Sequence, residues 1–139
     1  MKYLLDTNIL SEAIKPIPSV AVLNKLQQHR REIGICAPVW HELLFGMNRL
    51  PISAKREKLE RYLYQVVRQL SILPYDSESA EWYAQKRASL TQMGKVPLLI
   101  DSQIAAIAKA NQLILVTVNV KDYVYFPEIV IENWFSAVI

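Results

Sequence analysis

Cysteine is nearly absent from this 139-residue sequence: Cys36 stands alone. A single cysteine cannot close an internal disulfide. Because it lies in the apolar run Ile33–Ala37, it reads as a buried core thiol, and nothing points to an oxidising compartment. One cysteine and two histidines, His29 and His41, show no zinc-ligand spacing. Glycine is scarce (Gly34, Gly46, Gly94), and there is no internal repeat, low-complexity tract or linker. No apolar run approaches the length that spans a bilayer. The opening Met1-Lys2-Tyr3-Leu4-Leu5-Asp6 lacks the long apolar stretch and cleavage site of a signal peptide, so a cytoplasmic location and no membrane partner are expected. Excess charge is small as well. A formal net charge of +3 does not by itself mark a nucleic-acid binder.

What remains is 52% hydrophobic and 21% charged, the balance of a globular protein. The length predicts one domain, 1–139, with a core that needs neither disulfide nor structural metal. Lys2–Leu5, Ile33–Ala37, Ile72–Tyr75, Leu113–Thr117 and Ile129–Ile131 read as short apolar strands. Between them lie segments at helical spacing: Asn8–Ile14, a stripe at Val20, Leu23 and Leu26, Val39–Leu50 with Pro38 in its first turn, and Ser53–Leu70. Two more follow, from Asp76 or Ser77 to about Met93 ahead of Gly94, and Ile100–Gln112. Strands alternating with helices predict an α/β fold. It is a three-layer arrangement with a central parallel sheet of about four to five strands and helices on both faces.

In such sheets, sites form beyond the carboxyl ends of the strands. Asp6 directly follows the first strand. Glu42 lies one turn into the helix after the second, and Asp101 lies in the first turn of the helix before the fourth. Asn119 lies just past that fourth strand, with Asp122 three residues on. Each acid alone has a structural reading: Asp6 and Asp101 as helix N-caps, Glu42 as half of a buried salt bridge. The architecture, however, brings all three towards one edge. Converging carboxylates repel, and a divalent cation relieves the repulsion. Hard oxygen ligands suit Mg²⁺ or Mn²⁺, and a carboxylate-held ion of that kind supports in-line phosphodiester hydrolysis.

The stretch Tyr3-Leu4-Leu5-Asp6-Thr7-Asn8-Ile9-Leu10-Ser11 resembles the opening of PIN-domain proteins, in particular the VapC toxins. Glu42-Leu43-Leu44-Phe45-Gly46 resembles their acidic helix motif, and Asp101-Ser102-Gln103-Ile104-Ala105-Ala106 their Asp-x-x-Ile-Ala-Ala segment. Leu115–Tyr123 is similar to their late strand and loop, and Ile131-Glu132-Asn133-Trp134 to their tail. Order and spacing make the set specific across essentially the whole chain. The resemblance implies a PIN-like fold and an Mg²⁺-dependent endoribonuclease, with Mn²⁺ as a substitute. It implies a growth-inhibiting toxin that cuts RNA, forms a homodimer and is neutralised by a cognate VapB-like antitoxin covering the site. Carried over by residue, Asp6, Glu42 and Asp101 match the three acids that hold the metal. Asn119 matches a fourth catalytic position where members carry Asp or Asn, and its carbonyl adds no charge. Thr117 would orient its neighbours by hydrogen bonding, and Asp122 ranks below Asn119. Departures are Val118, where an arginine is common, Pro97–Ile100 without the usual glycine, and Pro127-Glu128 in place of Pro-Gly.

Two other classes compete. A phosphoaspartate enzyme or receiver would need acids that Lys2–Leu5 and Asn8 do not supply. A non-catalytic RNA- or protein-binding module could use the basic face Lys55, Arg56, Lys58, Arg61 and Arg68 with Trp40, Tyr62, Tyr64 and Trp82. Most of these aromatics fall at core spacing, and a binding module has no need of three acids at a sheet edge. The same helical region, around Tyr62 and Val66, is expected to form part of a dimer or antitoxin surface.

Overall fold

The computed structural model describes residues 1–135. Its spine is a five-stranded, all-parallel sheet in the order β3-β2-β1-β4-β5. The strands are β1 (Tyr3–Leu5), β2 (Ile33–Cys36), β3 (Ser71–Leu73), β4 (Ile114–Val116) and β5 (Val130–Glu132). Six α-helices connect them: α1 (Thr7–Ala13), α2 (Val20–Gln28), α3 (Ala37–Asn48), α4 (Ala54–Gln65), α5 (Ser77–Gln92) and α6 (Leu99–Ala110). β1 and its neighbour β4 are apolar at every position, β1 wholly buried and β4 buried at Leu115 and Val116, as strands covered on both faces should be. The chain runs outward from β1 to β3 through α1–α4, then back to β4 through α5 and α6, and crossovers between parallel strands are right-handed as a rule. The two sets of helices therefore lie on opposite faces. Ile104, Ala105, Ile107 and Ala108 of α6 meet Leu4, Leu5, Ile35 and Leu115 in one core cluster, together with Cys36, the expected buried thiol.

The expected layers and strands are found, with one helix shortened. The spacing predicts a helix over Ser53–Leu70, but α4 stops at Gln65 and a single 3₁₀ turn, Val67–Gln69, follows. Apolar spacing continues through this stretch because Val67 is wholly buried, while Val66 turns outward at 57% exposure. The chain has to reverse there to enter β3, and that reversal breaks the helical hydrogen bonding without changing which residues point inward.

The packed helices α5 and α6 end in the same cap. After α5, Gly94 adopts φ +71°, its N–H donates to Thr91 O at 3.0 Å, and that of Lys95 donates to Leu90 O at 2.9 Å. After α6, Gln112 takes the corresponding left-handed position at φ 55°, with N–H donation from Gln112 to Lys109 O (3.2 Å) and from Leu113 to Ala108 O (2.9 Å). Among the described residues, no helix is long and apolar enough to cross a membrane.

Candidate active site

The strand order reverses between β1 and β4, the place where open parallel sheets form their crevices. Leu5 pairs with Val116 in the ladder, and the Asp6 N–H donates to Val116 O at 2.9 Å. The next residues of both strands, Asp6 and Thr117, are thus held side by side where the two strands end. Asp6 is the N-cap of α1, so part of its structural reading is correct. Its Oδ1 accepts from the Thr7 N–H at 2.8 Å. Its other oxygen does something a cap does not need. Oδ2 accepts from Thr117 Oγ1 at 2.8 Å and from the Tyr123 hydroxyl at 2.9 Å. The carboxylate is only 6% exposed, and these donors offset its desolvation.

Asn8 locks the surroundings. Its amide donates to Thr117 Oγ1 at 3.2 Å and its carbonyl accepts from the Val118 N–H at 3.0 Å. The Asn119 N–H also donates to Thr117 Oγ1, at 3.0 Å. Thr117 is therefore the hub expected of it, and it is completely buried.

Glu42 reaches the same place from the second turn of α3, and Asp101 from the first turn of α6. Asp101 is not a cap. The N-cap of α6 is Leu98, which makes no side-chain cap hydrogen bond. No ion pair involves Glu42 among the described residues, so the salt-bridge reading fails for it. Asp6, Glu42, Asp101 and Asn119 instead line one cleft of about 500 Å³, walled on one side by Leu98, Leu99, Ile100 and Ile104. Asp122 does not line the cleft. It stands exposed in the 3₁₀ turn Val120–Tyr123, near enough for its charge to act on Asp101.

The electrostatics are one-sided. Burial first, then the charges of Asp6, Asp122 and Glu42, push the Asp101 carboxyl up to about 6. Among the described residues, no lysine, arginine or histidine lines the cleft to balance them. Hard oxygen donors with uncompensated negative charge fit a Mg²⁺- or Mn²⁺-like cation. Among the described residues, no three Asp, Glu, His or Cys side chains gather tightly enough to enclose an ion by themselves. An ion that retains waters, as Mg²⁺ does, is the kind such a set accommodates.

Tyr123 was missed as a site residue in the sequence. Its neighbours Val120 and Val124 are exposed, whereas Tyr123 and Phe126 are buried, so its only signal is a phenol at a core position. A buried tyrosine hydroxyl needs a partner, but that partner lies 117 residues away in sequence. The Lys55–Arg68 face stands apart from the cleft. On it, Tyr62 turns inward and donates to Leu10 O at 2.9 Å, leaving Val66 as the exposed member of the expected interface pair.

Comparison with known proteins adds an independent line. A family model described as the PIN domain matches residues 3–124. The chain is 32% identical over 135 residues to "Ribonuclease VapC2" of Rickettsia felis, covering 96% of this chain and 98% of that protein. It is 32% identical over 135 residues to "Toxin FitB" of Neisseria gonorrhoeae, covering 94% and 97%. The crystal structure of VapBC2 from Rickettsia felis bound to a DNA fragment from their promoter matches with a TM-score of 0.82 at 31% identity, over 96% of this chain and 99% of that one.

Proposed function

The chain belongs to the PIN-domain family, and from that premise we propose that it is a metal-dependent endoribonuclease that acts as the toxin of a toxin–antitoxin pair. The observation that carries the reading is the cleft that gathers Asp6, Glu42, Asp101 and Asn119 at the β1–β4 reversal with no cationic side chain among the described residues that line it. The named ribonuclease and toxin relatives, each matched along nearly its whole length, support it.

Asp6, Glu42 and Asp101 would hold Mg²⁺, or Mn²⁺ in its place. When bound, such an ion supplies an activated water and stabilises negative charge on the phosphate. The chain's own groups do the rest. Thr117 and Tyr123 hold the Asp6 carboxylate in one orientation. Asn119 offers a carbonyl oxygen without adding charge, so the net charge of the donor set favours one ion over two. Leu98 and Leu99 give the cleft an apolar border beside these polar groups. Hydrolysis breaks a phosphorus–oxygen bond as the attacking water's oxygen adds in line, and a cleft carboxylate takes that water's proton.

The proposal includes a cytoplasmic homodimer and a VapB-like antitoxin that covers the cleft. The solved VapBC2 structure, which matches this chain in fold, supports the second of these.

Purified protein incubated with cellular RNA should cut it with Mg²⁺ or Mn²⁺ and stop with EDTA. Asp6→Ala and Asp101→Ala should each lower the rate by at least about a hundredfold. Folded, metal-binding variants that still cut at the wild-type rate would remove these acids from the mechanism.

A further inference from the structure

Asp6 has two oxygens and roughly four acceptor positions to distribute. Oδ1 uses one on the Thr7 N–H at 2.8 Å. Oδ2 meets two hydroxyls, Thr117 at 2.8 Å and Tyr123 at 2.9 Å, with the Asn8 amide at a longer 3.5 Å. Oδ2 is therefore filled, and Oδ1 keeps an acceptor position open.

Tyr123 does this from a well-held place. It is 2% exposed and ends the 3₁₀ turn Val120–Tyr123, which packs on α6, the helix that carries Asp101. The same turn follows Asn119 and contains Asp122. One phenol thus ties the loop of the fourth polar position to the first acid.

We propose that Tyr123 is a positioning residue: its hydroxyl, with that of Thr117, saturates Oδ2 of Asp6 and leaves Oδ1 as the single oxygen that Asp6 presents to a divalent cation in the cleft. The inference rests on the metal-dependent reading of the site. Without the phenol, Oδ2 regains an acceptor position and the carboxylate can turn, so the donor set loses its definition. Partners of this kind, which orient a metal-holding carboxylate, typically contribute 10–100-fold to metal affinity.

Tyr123→Phe removes one oxygen atom and keeps the ring. Titration of the metal-free protein with Mn²⁺ by calorimetry should show the dissociation constant rising about tenfold in this variant. Its thermal melt should stay cooperative. In the cleavage assay kcat should fall while KM for RNA stays near the wild-type value, a split that mere loosening of the core would not produce. Thr117→Val, which removes the other donor to Oδ2, should weaken Mn²⁺ comparably, and Thr117→Ser should restore it. That pair repeats the test should Tyr123→Phe not melt cooperatively.

Asp6→Asn separates the two ways to fail. If Asp6→Asn loses Mn²⁺ while Tyr123→Phe and Thr117→Val bind it as tightly as wild type, the positioning role is wrong and the metal reading stands. If Asp6→Asn also binds Mn²⁺ unchanged, the metal reading falls and the positioning role with it.

Discussion

Asp101 shows how placement rewrites the chemistry of a single residue. Its carboxyl moves from an ordinary 3.8 up to about 6, chiefly through burial and then through the charges of Asp6, Asp122 and Glu42. An acid whose folded pKa lies above its unfolded one holds its proton more tightly in the native state. Its contribution to stability is therefore intact below about 3.8 and is lost as pH rises through about 6. Metal-free Asp101→Asn should melt like wild type at pH 4 and be more stable at pH 7. The gain should be about 1–2 kcal/mol after allowing for solvent screening of a half-buried group. Calorimetric melting at the two pH values checks this, and equal melting at pH 7 would contradict it. Protons and a cation compete for the same oxygen, so Mn²⁺ affinity should climb through the same pH range. Cys36 beside this site is pushed up to about 12 by burial, so it is a packing residue rather than a nucleophile.

At the scale of the element, the ends of α5 and α6 invite comparison. Both close with the same pair of backbone hydrogen bonds, yet one uses Gly94 and the other Gln112 in the left-handed region. A side chain at φ 55° carries steric strain that glycine avoids. Gln112→Gly should accordingly stabilise the protein by about 0.5–1 kcal/mol, even though glycine loses more entropy on folding. In thermal melting this corresponds to a rise of roughly 2–4 °C for a chain of this size. A fall in melting temperature would mean that the Gln112 side chain makes a compensating contribution. The element matters for the site, because the register of α6 places Asp101 at the cleft and the cap after it launches β4 towards Thr117.

For the whole molecule, the core and the site are separable. The buried cluster runs from Leu4 and Leu5 through Ile35 and Leu115 to α6 without requiring an ion. Protein treated with EDTA should keep a cooperative melt and, in sedimentation equilibrium, the mass of the proposed homodimer. Added Mg²⁺ should raise the melting temperature modestly by relieving repulsion in the cleft. Unfolding on chelation would give the metal a structural role that the core does not call for, and a monomer mass at micromolar concentration would overturn the dimer.

Much of this was legible in one dimension because it depends on local pattern. Short apolar runs alternating with helical spacing determined a parallel α/β sheet, since only strands covered on both faces can be apolar throughout. Asp6 was marked by its place just past the first strand, Glu42 by its place one turn into the helix after the second, Asp101 by the first turn of the helix before the fourth, and Asn119 by its place after the fourth. The strand order, and with it the adjacency of Asp6 and Thr117, came only from tertiary structure, because nothing local says which strands become neighbours. The end of α4 at Gln65 was hidden because Val67 stays buried whether the backbone is helical or turning. Likewise, no spacing rule could assign Glu42 to an open cleft rather than a salt bridge, or join the Tyr123 hydroxyl to a carboxylate 117 residues earlier. Sequence determines which groups are available, whereas hydrogen bonds and charges act through space, so the folded chain alone decides which of them meet.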